Sequence, residues 1–172
     1  MTTAADYCGA GKFENVIVST DTRPKRSIGG ISCLPDIDLD AAPEDFAALI
    51  LIGGTAWRSE QAKIVVPIVR RCLEKGRPLG AICDACRFLA GMGALNGVKH
   101  TGNTADDLKS VGERYHNGDG FIPKQAVCDG GIITANGTAA IEFAREACLA
   151  LGMDKNTVED WYVFHKRGIF AE

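Results

Sequence analysis

The apolar run Leu79-Gly80-Ala81-Ile82 passes into Cys83 and then into a helical pattern with no loop between them. A chain makes that join only through a sharp strand-to-helix turn. Such a turn brings the residues two before and two after its apex together, so both must be small, and here they are Ala81 and Ala85. The apex is strained and lifts one side chain into the open. The first N–H groups of the helix then point at whatever that side chain attacks, and a thiol at a helix N-terminus ionises more easily. The plainer reading of the same residues is a buried cysteine ending a core strand, and one short motif does not choose between the two.

The rest of the chain supplies the context. Asn15 to Thr20 reads as a strand, and Arg26 to Leu34, interrupted by Gly29-Gly30, reads as a small hairpin. Residues 35–46 form an acidic connection. Ala47 to Ile52 is an unbroken apolar strand, as expected where both faces of a sheet are covered. Ile64, Val65, Ile68, Val69, Cys72 and Leu73 mark one helical face; Pro67 lies inside it, so the helix either begins just before Pro67 or kinks there. A helix over 84–95, a short strand over 97–103 and a short helix over 104–111 come next. Residues 125–128 and 132–135 form a hairpin across Asp129-Gly130-Gly131. Helices over 138–151 and 157–166 close the chain. Strands alternating with helices predict one α/β domain over 1–172, a doubly wound and mostly parallel sheet with helices on both faces.

Composition narrows the function classes. A net charge of −3, with no extended Lys/Arg cluster, argues against a nucleic-acid surface. No apolar run approaches the roughly 18 residues of a membrane span. The first residues lack both the basic start and the apolar core of a signal peptide. Seven cysteines form an odd set without framework spacing, which fits a reducing cytoplasm and buried thiols.

In a doubly wound sheet the active crevice lies beyond the carboxyl ends of the strands. Three strand ends carry suggestive residues: Gly53-Gly54 with Trp57 shortly after, Cys83, and Asn136-Gly137. Each glycine alone reads as a plain tight turn; three such ends on one sheet edge read as a site. Trp57 either walls that site or packs on a neighbouring surface. Cys83-x-x-Cys86 lacks a second pair of ligands for zinc, and Cys86 is either a resolving thiol or a small helix residue packed on the sheet. Gly9-Ala10-Gly11-Lys12 is not a phosphate loop, because Phe13 stands where Ser or Thr is needed. Glu142 reads as a capping or buried structural carboxylate. Trp161, Tyr162, Phe164 and Phe170 read as core or dimer contacts. No residues suggest a cofactor or metal site.

The segments LILIGGTAW, PLGAICDACRFLAGMGALNGVKHTGN and GIITANGTAAIEFAREA resemble the ThiJ/PfpI superfamily. The likeness is to its small bacterial members, described as intracellular proteases/amidases or glutamine-amidotransferase-like proteins, and it covers about residues 15–152. It implies a flavodoxin-like sandwich, commonly dimeric, with Cys83 as nucleophile and an oxyanion hole from the N–H groups of Gly54 and Asp84. The implied activity is hydrolysis or lyase chemistry on a small carbonyl or amide substrate. The alternative is an oxidant-sensing or chaperone-like protein in which Cys83 is oxidised without turnover.

The departures from the family pattern are as informative. Many members place a histidine directly after the nucleophile, where this chain has Asp84; others place one where it has Asn103. His100 stands three residues earlier, in an expected strand whose alternation decides whether it faces the site. No histidine is followed by the x-Glu of glutamine amidotransferases, so that chemistry is not expected. The family's acidic partner of the nucleophile follows a first strand that is not found in this sequence. Residues 1–11 read as the tail of the helix after that strand. In strand order 2-1-3-4-5 the strand would lie between 15–20 and 47–52, so an open or incomplete sheet is expected there.

Overall fold

The computed structural model describes residues 2–9 and 11–169; Met1 and Phe170 lie outside them. A four-stranded sheet carries the molecule. Its strands are β5 (Leu49–Leu51), β6 (Leu79–Ile82), β8 (Ile132–Ala135) and β7 (Ala126–Asp129), in that spatial order. The first three are parallel, with Ile50 opposite Gly80 and Gly80 opposite Ile133. β7 joins β8 as the expected antiparallel hairpin. Leu79, Ala81, Ile133 and Ala135 are fully buried, as the two-sided cover of a parallel strand requires. A Cβ on Gly80 would lie 2.8 Å from both Ile50 Cδ1 and Phe143 Cζ, so any larger residue there would have to displace those side chains.

Helices cover the sheet. The helix α2 (Val66–Glu74) has Pro67 in its first turn and buries Ile68, Val69 and Cys72. The helix α3 (Asp84–Gly91) follows β6 through Cys83 and buries Ala85, Cys86, Leu89 and Ala90. Leu79, Leu89, Leu95 and Leu108 are completely enclosed, and each such side chain stabilises the fold by about 1.5–3 kcal/mol. The short helix α4 (Ala105–Lys109) is capped by Thr104, whose hydroxyl accepts from Asp107 N–H at 3.0 Å. The helix α5 (Ala140–Ala150) packs Phe143 on the sheet. It also forms a second cluster with α1 (Thr2–Gly9) and α6 (Lys155–Arg167), built from Ala4, Ala5, Cys8, Ala144, Cys148, Val158 and Trp161. α6 starts at an Asp154 cap and ends at Gly168, whose φ of 75° makes a left-handed stop. No helix among the described residues is long and apolar enough to cross a membrane.

Three expectations change. The strand over 15–20 shrinks to β1 (Val18–Ser19), which pairs in parallel with β4 (Ile37–Asp38) inside the supposed acidic connection. β2 (Lys25–Arg26) and β3 (Ser32–Cys33) make the small hairpin as expected. None of these strands pairs with β5, which has one strand partner among the described residues, and Val16, Ile17, Ile28, Ile31, Leu34 and Ile52 are exposed. The strand over 97–103 reduces to a single bridge between His100 and Phe121, because Gly97 and Gly102 frame a segment tied down by side chains instead of a ladder.

Candidate active site

Cys83 sits at the junction of β6 and α3 with φ 62° and ψ −129°, and it is the one non-glycine residue with positive φ among those described. A side chain in that region costs on the order of 1–3 kcal/mol, so the surroundings must impose it. They do so from both sides. Cys83 N–H donates to Ala135 O at 2.9 Å, and Cys86 N–H donates back to Cys83 O at 3.0 Å. The thiol is left half-buried at the carboxyl end of the sheet.

Three loops close on the sulfur. A Cβ on Gly53 would lie 3.0 Å from Cys83 Cβ and 3.2 Å from Ile82 O, so the chain after β5 passes hard against the turn. A Cβ on Gly137 would lie 3.2 Å from Cys83 Sγ. Asn103 supplies the third contact: its Nδ2 donates to Cys83 Sγ at 3.4 Å and to Asp84 Oδ1 at 3.3 Å, while its Oδ1 accepts Gly137 N–H at 2.9 Å. That backbone donor requires an oxygen, which fixes the amide's orientation with nitrogen toward sulfur. Asn103 is the one side chain that hydrogen-bonds the sulfur among the described residues.

Asp84 is the first residue of α3 and is 95% buried. Arg58 grips its carboxylate with two prongs, Nε to Oδ2 at 2.7 Å and Nη2 to Oδ1 at 2.8 Å. Arg58 Nη2 also reaches Asp107 Oδ1 at 3.0 Å, and Arg87 Nε lies 3.5 Å from the same oxygen. The Arg58 guanidinium holds the Asp84 carboxyl below the usual carboxylate range against the opposing pull of burial, and Asp84 in turn raises Arg58. The backbone N–H groups of Gly54 and Asp84 donate to no described group, so both are free for an incoming oxygen.

The remaining candidates separate clearly. Asn103, Gly53 and Asp84 converge on Cys83 with the geometry above. Trp57 packs tilted on Phe88, with ring centroids 4.9 Å apart, and its Nε1 donates to Ile52 O at 2.7 Å; it braces the loop after β5. Asn136 turns its Oδ1 to Thr138 N–H and Oγ1, shaping the turn, and the residue that meets the sulfur is its neighbour Gly137.

His100 is a correction. It is fully buried, with Nε2 2.7 Å from Tyr115 Oη and Nδ1 2.8 Å from Val98 O. Both ring nitrogens are committed within the core, and desolvation lowers its pKa. It is a structural histidine and not a pocket residue. Cys86 is likewise sealed, with its thiol 3.2 Å from Ala81 O and 3.3 Å from Ala135 O and burial pushing it up to about 12. That is the small packed residue, not a resolving thiol.

Arg58 and Asp107 escaped sequence reasoning because they lie 26 residues before and 23 after Asp84 with no motif to link them. Among the described residues no group of three His, Cys, Asp or Glu is placed to hold a metal ion. A cleft of about 340 Å³ lies elsewhere, lined by Lys124, Gln125, Glu142, Arg145 and Tyr162 among others, and shares no residue with the surroundings of Cys83. Glu142 there is a structural carboxylate, bonded by Lys166 Nζ and Tyr162 Oη.

A mostly parallel sheet with a strained cysteine at the strand-to-helix turn defines a class, and the comparisons with known proteins give it a name. The DJ-1/PfpI family matches residues 1–149, and the chain belongs to that family. An uncharacterized protease of Bacillus subtilis, YdeA, is 40% identical over 117 residues, 68% of this chain and 58% of that protein. A second, YoaZ, is 34% identical over 160 residues, 91% of this chain and 76% of that protein. The chain therefore spans a little over half the length of the first relative and about three-quarters of the second. Among solved structures, a DJ-1 superfamily protein from Agrobacterium tumefaciens is 31% identical with a TM-score of 0.84, over 98% of this chain and 91% of that one. A thiJ/pfpI family protein from Bacillus anthracis is 28% identical with a TM-score of 0.86, over 96% of this chain and 82% of that one.

Proposed function

We propose that this protein is a cysteine-dependent hydrolase that acts on a small carbonyl or amide substrate through Cys83. The observation that carries the reading is the positive φ of Cys83, a strain maintained at a half-exposed thiol between the carboxyl end of a strand and the start of a helix. Relatives named as proteases support it, as does a more distant one named a deglycase in Thermococcus kodakarensis, 31% identical over 99 residues.

In the proposed reaction the Cys83 thiolate attacks the carbonyl carbon and the carbonyl electron pair moves to oxygen. Gly54 and Asp84 N–H groups donate to that oxyanion, the kind of interaction that commonly supplies the largest single share of rate enhancement. Collapse expels the amine, which takes its proton from water, and a second water hydrolyses the thioester and restores the thiol. The chain acts as a homodimer in the cytoplasm, free of nucleic acid and membrane.

The test is turnover of methylglyoxal, small amides and short peptides by intact and Cys83→Ala protein. Turnover that vanishes with Cys83 supports the reading. A second reading draws on the environment of the sulfur, where among the described residues the one side-chain hydrogen-bond partner is the Asn103 amide and not an imidazole. Peroxide would then oxidise the thiolate to a sulfenate with release of water. A stable oxygen adduct on the Cys83 peptide, without turnover of any substrate, favours that reading and overturns the first.

A further inference from the structure

We infer that Arg58 is a positioning residue for Cys83, acting through Asp84 and Asn103 to hold one amide N–H on the sulfur. The inference rests on the reading of Cys83 as the reactive thiol and goes beyond it by assigning a role to a residue that makes no contact with that thiol.

The argument starts from Asn103, which is exposed and whose side chain would otherwise be free to turn. Its nitrogen carries two protons, and the structure uses both: one goes to Cys83 Sγ and one to Asp84 Oδ1. Its oxygen is taken by Gly137 N–H. Three contacts, two on the Cys83–Asp84 turn and one on the loop at Gly137, leave the amide a single orientation, and the Asp84 carboxylate sets the rotation that aims the other proton at sulfur. That carboxylate has its own freedom about the terminal torsion. Arg58 removes it, because a planar guanidinium bound through two parallel N–H···O contacts fixes the plane of the carboxylate as well as its place. The chain of contacts runs Arg58, Asp84, Asn103, Cys83, and each link has defined geometry.

The same ion pair has a second effect. Arg58 ends the short 3₁₀ turn over Thr55–Arg58 that follows Gly54, and Asp84 begins α3. One bidentate contact therefore ties the turn after Gly54 to the start of the helix that follows Cys83. Trp57 on Phe88 and Trp57 Nε1 on Ile52 O hold the same turn from its apolar side. Asp107 and Arg87 complete the charged set around Arg58. The four charges Arg58, Arg87, Asp84 and Asp107 sum to zero, so the cluster adds no net charge beside the thiol.

A direct charge effect of Arg58 on the sulfur is the competing explanation, and a double-mutant cycle separates the two. The readout is the rate of iodoacetamide alkylation of the Cys83 peptide as a function of pH, for the intact protein, Arg58→Gln, Asn103→Ala and the double variant. This needs no substrate. Loss of a hydrogen bond to a thiolate moves the alkylation midpoint to higher pH. Each single variant is expected to move it up by about 0.5–1 pH unit, with the double variant moving no further than Asn103→Ala alone. Arg58→Lys, which keeps the charge but loses the two-pronged grip, is expected to behave like Arg58→Gln, and thermal unfolding confirms that each variant compared is folded.

Shifts that add in the double variant, or a Lys variant that restores the native profile, overturn the positioning role and assign Arg58 a charge effect. An unchanged profile in Arg58→Gln overturns it outright. If Cys83 is not alkylated in the intact protein, the reading of Cys83 as the reactive thiol fails, and the inference fails with it. If Arg58→Gln does not fold, Asp84→Asn combined with Asn103→Ala completes the same cycle one link nearer the sulfur, with the same non-additive result expected and an additive one overturning the role.

Discussion

Two polar clusters of the molecule are built from opposite materials. Around Cys83 the backbone is strained, the thiol is half-exposed, and the sulfur receives its hydrogen bond from an exposed asparagine. Around His100 every polar atom is spoken for. Val98 O accepts the Nδ1 proton, so Nε2 of the neutral ring accepts the Tyr115 hydroxyl proton, and Asn117 Nδ2 donates to Leu95 O and Val98 O. Phe121 closes the remaining side edge-on. A satisfied and buried network rigidifies a fold, whereas an open one under strain is available for chemistry. Residue type alone would have pointed the other way, since histidine is the commoner catalytic group.

The comparison can be broken by exchanging the consequences of mutation. The largest effect expected is on chemistry: Cys83→Ala should lower cysteine-dependent turnover by at least about 100-fold, while His100→Ala leaves the alkylation rate of Cys83 within about twofold. A large drop in alkylation in folded His100→Ala protein would mean that the clusters communicate. The next effect is on stability. His100→Ala leaves the Tyr115 hydroxyl without its partner and opens a cavity, which should cost about 3 kcal/mol in urea unfolding, against about 1 kcal/mol or less for Cys83→Ala. Equal costs would show that the Cys83 turn is as much a structural device as the histidine.

A smaller effect sharpens the contrast through pH. The folded-state pKa of His100 is lowered by burial from 6.5, so the unfolded chain takes up a proton that the folded one refuses. Its contribution is fully present above about pH 6.5 and is lost as pH falls below that value toward the folded pKa. Stability should therefore fall more steeply between about pH 7 and 5 in the intact protein than in His100→Gln. Parallel pH profiles would remove the histidine from the account. The smallest effect is Gly137→Ala, which places a methyl group 3.2 Å from Cys83 Sγ. It should slow alkylation several-fold while changing stability by about 0.5 kcal/mol, and an unaltered rate would show that the loop yields freely.

The turn at Cys83 was legible in the sequence because sterics alone demand small residues two positions to either side of it. The positions of β5, β6 and β8 were legible because each is an apolar run between turn signals. His100 was misplaced because alternation predicts facing only within a paired strand, and residues 97–103 make a single bridge. The strand over 15–20 was overextended for a related reason. Val16 and Ile17 have β-branched side chains but are exposed, and apolar type does not create a strand without neighbours to pair with. Arg58 was invisible because its role depends on a contact across 26 residues that no periodicity encodes.

The positive φ at Cys83 has a consequence for descent as well as for reactivity. A backbone at φ 62° and ψ −129° is one that glycine adopts with ease. The substitution Cys83→Gly would relieve the strain in a single step, so in any lineage freed from the need for this thiol, drift toward the more stable chain would erase it.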